Sequence, residues 1–154
     1  MKPAISLILA MLLPLAALAQ AAAPADPAAV PAPWAPVEAA GVDLESFHWI
    51  SRPIVVFADS PQDPLFLQQM KLLAADPAGL IERDVVVIVD TDPAARTPVR
   101  QALRPRGFSL VLMDKDGKAM LRKPLPWDAR EITRAIDKFP LRRQEMLEQR
   151  PSGR

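Results

Sequence analysis

Three stretches of the chain are almost continuously apolar over the length of a β-strand. They cover residues 53–58, 85–90 and 109–114, and most of their members are Val, Ile, Leu or Phe. This pattern is typical of strands that are buried on both faces, as in the middle of an α/β sheet. Asp116-Gly117 then predicts a tight hairpin, which pairs a fourth strand over 119–123 antiparallel to the third.

The segment after the first strand carries a helix pattern, because Phe66, Met70 and Leu73 recur at helical spacing. Two starts remain open for this helix. Segment 60–63 resembles a capping box with a hydroxyl at the N-cap, whereas Asp63-Pro64 is a rival cap followed by a proline at the first helical position.

Two further helices are predicted from their caps. Asp92-Pro93 indicates a helix over 93–104, and Asp128 indicates a last helix that Pro140 ends. Residues 141–150 add a short, charged helical turn. The predicted order is therefore β-α-β-α-β-β-α.

This order predicts an α/β fold that resembles thioredoxin. The first two units need right-handed crossovers to place their strands in parallel, and the hairpin adds an antiparallel strand at the edge. We expect three layers, with a central sheet of about four strands and without the Cys-x-x-Cys motif.

The first 43 residues differ in composition from the rest. Residues 1–19 start with Lys2, continue with an apolar run and end on small residues, as in a secretory signal peptide. A membrane anchor is the alternative, but Pro14 breaks the run well short of the roughly 20 residues that a spanning helix needs. Residues 20–43 are rich in Ala and Pro, which predicts a semi-rigid linker.

The predicted domain organisation is thus a signal peptide over 1–19, a linker over 20–43, a thioredoxin-like domain over 44–150 and a disordered tail over 151–154. We expect a periplasmic or secreted protein with no transmembrane segment after signal cleavage.

Composition removes several kinds of function. The net charge is +1, so no overall field attracts nucleic acid. The chain has no cysteine, which excludes thiol–disulfide oxidoreductase activity and thiolate metal sites. His48 is the single histidine, so no histidine-rich metal site is predicted and no cofactor is indicated.

One candidate ligand site lies between the first strand and its helix. Ser60, Gln62 and Asp63 fall at the strand end, where open α/β sheets place ligands and where a helix N-terminus favours an anion. Plain helix capping is the alternative interpretation.

A second candidate is a basic surface for phosphates, anionic lipid or an acidic partner. It consists of Arg96, Arg100 and Arg104, spaced four apart on the predicted helix, with Arg106 just beyond. The alternative is an ordinary solvated helix face.

Candidate structural ion pairs lie further along the chain. Their members are Arg83, Asp84, Arg142, Arg143 and Glu145. Arg142 and Glu145 are three apart and pair on one helical turn. We also expect an arginine after Pro140 to reach back to Asp84 or Asp63.

Two resemblances sharpen the fold prediction. Segment 106–117 resembles the thioredoxin stretch that leads through a cis-proline into the third strand, with Ser109 at the proline position. Segment 62–65, Gln-Asp-Pro-Leu, then falls where the redox motif of thioredoxin would lie. Both halves of a redox site are replaced.

The chain also resembles an exported bacterial family of unknown function, sometimes called P-DUDES, which is related to domains of animal sushi-repeat and extracellular-matrix proteins. The resemblance covers roughly residues 44–147. It is carried by segments 47–49, 52–58, 82–87, 115–117 and 136–146. It implies a thioredoxin-like fold and export, but it implies no reaction.

The leading functional hypothesis follows from which features of a thioredoxin site are absent from the sequence. The fold is kept, its thiols are gone and no other catalytic set replaces them, so we expect a non-catalytic binding or adaptor module of the cell envelope. Its partner would be an envelope protein or a small anion. The alternatives are a cysteine-less enzyme that uses the Ser60/Asp63 turn and a structural protein that self-associates through the edge strand near 119–123.

Overall fold

The computed structural model describes residues 34–150. The predicted signal peptide, most of the predicted linker and the predicted C-terminal tail lie outside the described residues. In the described part, five strands form one mixed sheet in the order β1-β3-β2-β4-β5. The strands are β1 (Val37–Glu38), β2 (Arg52–Phe57), β3 (Val85–Asp90), β4 (Ser109–Met113) and β5 (Ala119–Lys123).

The predicted central strands and hairpin are confirmed, but the parallel arrangement predicted for the second β-α-β unit is wrong. Strand β3 pairs in parallel with β2, while β4 runs antiparallel to β2 and β5 runs antiparallel to β4. The fifth strand is an addition to the predicted four. Strand β1 pairs in parallel with β3 inside the segment predicted as a linker, and Ala39 next to it is buried. The folded part therefore begins before the expected residue 44.

Within residues 34–150, five α-helices accompany the sheet. They are α1 (Pro64–Ala74), α2 (Pro77–Ile81), α3 (Pro98–Leu103), α4 (Ala129–Ile136) and α5 (Pro140–Glu148). Successive residues of each strand point to opposite faces, so the sheet has two apolar cores. One core lies under α1, α2 and α4, and the other lies under α3 and the segment before β2. This is the predicted three-layer arrangement.

The predicted helix over 93–104 is wrong. A short 3-10 turn occupies Pro93–Ala95, and Arg96 then adopts a left-handed conformation with φ of 45°. Pro98 disfavours a helical conformation at Thr97 and begins α3, whose backbone the Thr97 hydroxyl caps by accepting from Arg100 N at 3.0 Å.

The predicted end of the last helix also needs correction. Helix α4 ends at Ile136, and Pro140 begins α5 rather than closing the helix before it. A proline is suited to this position because the first helical residue has no intrahelical use for its N–H. The predicted short turn over 141–150 is thus a nine-residue helix.

Candidate functional site

The C-terminal ends of β2 and β3 and the N-terminal end of β4 meet at one end of the sheet. Phe57, the last residue of β2, pairs with Asp90 at the end of β3 and with Ser109 at the start of β4. The turn after β2 and the loop before β4 therefore lie side by side, and the carboxylate of Asp59 lies against Gly107. The turn that leads to segment 62–65 and the loop that leads to Ser109 are therefore neighbours.

The predicted ligand residues in the turn after β2 bond mainly to their own backbone. The Ser60 hydroxyl donates to Gln62 Oε1 at 2.8 Å and accepts from Gln62 N at 3.1 Å. Asp63 is the N-cap of α1, and its Oδ1 accepts from Leu65 N at 2.8 Å and from Phe66 N at 3.4 Å. The carboxylate thus places a negative charge at the helix N-terminus, where a bound anion would otherwise lie.

The predicted basic stripe does not form on one helix face. Since the helix is interrupted before Thr97, Arg96 lies outside α3 and Arg104 follows its end with φ of 48°. Arg100 is engaged as well: its Nε and Nη2 donate to Asp90 Oδ1 at 2.9 and 2.7 Å.

The Arg100 contact has a structural purpose. Asp90 is buried, and the Thr97 hydroxyl donates to its second oxygen at 2.5 Å. Arg100 also donates to the Ala58 carbonyl at 2.9 Å and lies over the Phe57 ring. A buried carboxylate needs such partners, so Arg100 neutralises Asp90 and is not part of an open basic surface.

The other two arginines of the predicted stripe open onto a cavity of about 470 Å³. We call it the arginine cavity; its lining residues are Leu103, Arg104, Arg106, Phe108, Ser109, Arg122 and Pro124. Its three arginines, Arg104, Arg106 and Arg122, are exposed, and within residues 34–150 none of them forms an ion pair. The lining holds no carboxylate.

Arg122 is the cavity residue that the sequence did not single out. It lies on β5 opposite Val111, on the face covered by α3, and its Nη2 donates to the Leu103 carbonyl at 2.7 Å. Alternation along β5 predicts on which face of the sheet the Arg122 side chain lies. It does not predict that α3 packs beside it.

A buried ion network that centres on Arg52 lies at the opposite end of the sheet, where β2 begins. This side chain is fully buried at the start of β2. Its Nε donates to Asp114 Oδ1 at 3.0 Å, its Nη2 to Glu145 Oε1 at 2.9 Å and its Nη1 to the Arg83 carbonyl at 3.1 Å. Lys115 Nζ bridges Glu145 and Asp84 at 2.9 and 2.8 Å.

A second part of the network joins Arg83 to the start of α5. Arg83 donates through Nε and Nη2 to the two oxygens of Asp137, each at 2.8 Å. Arg142 is buried, and its guanidinium lies 3.5 Å from carboxylates of Glu82, Asp137 and Glu145. The network ties β2 and the α2–β3 connection to the C-terminal helix.

These contacts shift the acidities of their members. Hydrogen bonds from Arg83, opposed by partial burial, hold the pKa of Asp137 below its ordinary value. Partial burial acts to raise the pKa of Glu145, but hydrogen bonds from Arg52 and Lys115 outweigh it, so this pKa is also lowered. Both carboxyls are therefore ionised at neutral pH.

The predicted ion pairs are met in part. Arg142 does pair with Glu145, but it reaches neither Asp84 nor Asp63. Lys115 is the partner of Asp84, because the hairpin turn brings its chain beside the start of β3. Arg143 points to solvent, where it forms no ion pair with any residue of the described part.

The segments behind the family resemblance converge at this network. Trp49 N donates to the Lys115 carbonyl at 2.8 Å, and the His48 ring lies against Gly117, which has φ of 79°. Trp49 itself has φ of 63° and leaves 69% of its surface exposed. The motifs thus specify a structural joint between the hairpin, the start of β2 and α5.

Comparison with known families agrees with this picture. Residues 43–145 match the family described as a domain of unknown function, DUF4174. The chain belongs to this family. No curated protein matches the chain. The matched range of the DUF4174 domain includes both the arginine cavity and the buried ion network.

Solved structures show the fold of the DUF4174 domain. It is similar to chloroplastic thioredoxin z, with a TM-score of 0.52 and 22% identity over 68% of this chain and 92% of that one. It is also similar to reduced 2-Cys peroxiredoxin of Plasmodium vivax, with a TM-score of 0.52 and 15% identity over 68% and 85% of the two chains. The predicted thioredoxin-like α/β fold is confirmed.

Two further observations bear on the site. Between residues 34 and 150, the structure contains no cluster of three His, Asp or Glu side chains that would hold a metal ion. None of the helices in this range is long and apolar enough to cross a membrane. The DUF4174 domain is a cysteine-free thioredoxin-like domain, and the arginine cavity is an open site at one end of its sheet.

Proposed function

We propose that this protein is a non-catalytic binding module that takes an anionic ligand in the arginine cavity. One observation carries the proposal: Arg104, Arg106 and Arg122 line one concavity, and its lining contains no carboxylate. Guanidinium groups recognise carboxylates and phosphates through paired, charge-assisted hydrogen bonds. Leu103 and Phe108 give the cavity an apolar part, so a ligand with an organic body fits it as well as its charge.

The groups around the cavity support binding rather than chemistry. Asp63 caps a helix, Asp90 is neutralised by Arg100, and the Ser60 hydroxyl bonds to Gln62. A general base or nucleophile needs a free proton-accepting group within reach of the substrate. These side chains are already engaged, which favours the binding module over an enzyme that uses the turn.

The test uses the protein expressed from its full sequence. Tetraglutamate is titrated into it, and the backbone NMR signals are monitored at each step. We expect saturable shifts at the arginine cavity and binding about tenfold weaker in the variant Arg104→Gln/Arg106→Gln, because charge-assisted hydrogen bonds are lost. Binding should also weaken as salt is raised, since exposed charges are screened.

A matched control changes two arginines that are exposed and remote from the cavity. Arg134→Gln/Arg143→Gln removes the same charge and should leave the affinity within about twofold, as expected for distant exposed sites. Equal losses in both double variants would mean diffuse attraction to net charge. They would contradict a site in the arginine cavity.

We also propose that the protein is exported and acts in the cell envelope, as a member of the P-DUDES type with its relation to sushi-repeat proteins. The support is the sequence of residues 1–19 and the resemblance of the domain motifs. Expression of the full sequence in a bacterial host, followed by fractionation and intact mass, tests export. Cleavage after Ala19 and recovery from the periplasm are expected, whereas an uncleaved cytoplasmic product would contradict the proposal.

A further inference from the structure

The arginine cavity continues directly into the free edge of the sheet. Strand β5 is the outermost strand on this side, so one row of its backbone groups has no partner strand within the sheet. Arg122, near the end of β5, and Pro124, just after it, both line the cavity. A chain that paired with the free edge of β5 would therefore pass the end of the strand where Arg122 and Pro124 line the cavity.

The segment that contains β5 has an excess of basic residues. Residues 118–125 contain Lys118, Arg122 and Lys123 and no acidic residue. No acidic residue occurs between Pro93 and Met113, the segment that includes α3 and β4. Lys118 pairs with Asp116, and Lys123 lies 4.3 Å from the Trp127 ring, so Arg122 is the strand's cation that faces the cavity. Charge complementarity favours an acidic strand at this edge.

Self-pairing is disfavoured by the same charges. Two copies that met through β5 would bring two basic strands together, which is a common way in which edge strands avoid association. A small free anion would satisfy the arginines but would leave the strand edge without a partner.

We propose that the ligand of the arginine cavity is an extended acidic peptide that adds to β5 as a sixth strand and places a carboxylate among Arg104, Arg106 and Arg122. This inference rests on the proposed binding function and names its ligand class. Main-chain hydrogen bonds along β5 supply affinity, and the arginines select an acidic side chain or chain end.

The experiment uses the peptide acetyl-Thr-Val-Thr-Val-Glu-Glu and two backbone-methylated forms. One form is methylated on both Thr nitrogens and the other on both Val nitrogens. Because N–H groups of alternate residues in a strand point to opposite sides, only one form removes the donors that face β5. We expect that form to bind at least about tenfold more weakly and the other to stay within about threefold, since only the first loses two hydrogen bonds.

Two controls complete the design. Replacing both Glu residues of the peptide by Gln, or Arg122→Gln in the protein, should each weaken binding about tenfold. Amides of Ala119–Lys123 should gain protection from hydrogen exchange when the unmethylated peptide binds, because the edge acquires partners.

The outcomes separate this inference from the proposed function. Equal affinities of the two methylated forms, with tetraglutamate still bound at the arginines, overturn strand addition and leave anion binding standing. Loss of both peptide and tetraglutamate binding overturns both proposals. A dimer that forms with rising protein concentration and excludes the peptide would assign the edge to a second copy and also overturn strand addition.

Discussion

At the scale of single residues, Arg52 is the most constrained side chain in the domain. It is fully buried, and so is its partner Asp114 at 2% exposure. Burying a charge is costly unless it is paired and its hydrogen bonds are met, and Arg52 meets this condition through Asp114, Glu145 and the Arg83 carbonyl.

We therefore predict that Arg52→Met lowers the free energy of unfolding by about 3–5 kcal/mol, because Asp114 is left as a buried charge without its cation. Urea unfolding followed by circular dichroism measures the loss. Arg143→Met removes an exposed arginine and should change stability by at most about 0.5 kcal/mol.

A further variant keeps this prediction testable if Arg52→Met does not fold. Adding Asp114→Leu removes the stranded carboxylate, and replacement of a buried ion pair by apolar residues is often tolerated. The double variant should be more stable than Arg52→Met alone. If it is less stable, the cost lies in lost packing and not in an unpaired buried charge.

At the scale of elements, Asp63 fixes where α1 begins. Its carboxylate accepts from Leu65 N and Phe66 N, and Pro64 fills the first helical position. Of the two starts that the sequence left open, the structure uses Asp63-Pro64. This cap is a sufficient reason for an aspartate at the end of the turn, independent of any ligand.

We predict that Asp63→Ala lowers the free energy of unfolding by about 1 kcal/mol, because the N-cap acceptor is lost. Asp63→Ser supplies another acceptor and should retain most of the stability. Chemical denaturation of the three proteins provides the comparison. An Asp63→Ser variant as unstable as Asp63→Ala would show that the carboxylate acts by something other than capping.

The elements also show which features a sequence reveals. Strands β2, β3 and β4 and the hairpin could be predicted because each is recorded in a local pattern of apolar residues or in a turn dipeptide. The break at Thr97 could have been found, since Thr97-Pro98 is itself a helix start inside the predicted helix. Strand β1 has only two residues, in an Ala/Pro-rich segment, and forms through its contact with β3.

The sites were harder to predict because their residues are distant in sequence. Arg52 and Glu145 are 93 positions apart, and nothing local to either residue identifies the other. Arg104 and Arg106 were found from a run without acids, but Arg122 joins them only because β5 folds beside the end of α3. The predicted place of Arg100 on a basic surface is wrong because its partner, Asp90, lies at the buried end of β3.

At the scale of the whole molecule, charge is distributed unequally between the two ends of the sheet, where its strands begin and end. The end with Arg52 contains cations and carboxylates that neutralise each other. Their ion pairs join the hairpin, β2 and the C-terminal helix. The opposite end pairs Arg100 with Asp90, but its other arginines, Arg104, Arg106 and Arg122, form no ion pair among the described residues. The first arrangement holds the fold together, whereas the second is available for a ligand.

The ion network around Arg52 and Arg83 allows us to predict how stability responds to acid. The pKa values of Asp137 and Glu145 are lower in the folded chain than their ordinary values. Between the folded and unfolded pKa values, the unfolded chain binds more protons, so stability rises with pH in that window. Their contribution is complete above the unfolded values, about pH 4–4.5, and is lost as the pH falls through the lower folded values.

We predict that Arg83→Gln makes stability less dependent on acid, because hydrogen bonding from Arg83 is the main reason for the low pKa of Asp137. Urea unfolding at several pH values between about 2 and 7 measures the slope, which reports the difference in bound protons between the two states. The variant should be less stable at pH 7 and should lose less stability on acidification. Arg134→Gln, which removes an exposed arginine that forms no ion pair among residues 34–150, should leave the slope unchanged. An unchanged slope in Arg83→Gln would mean that carboxyls elsewhere in the molecule govern its acid sensitivity.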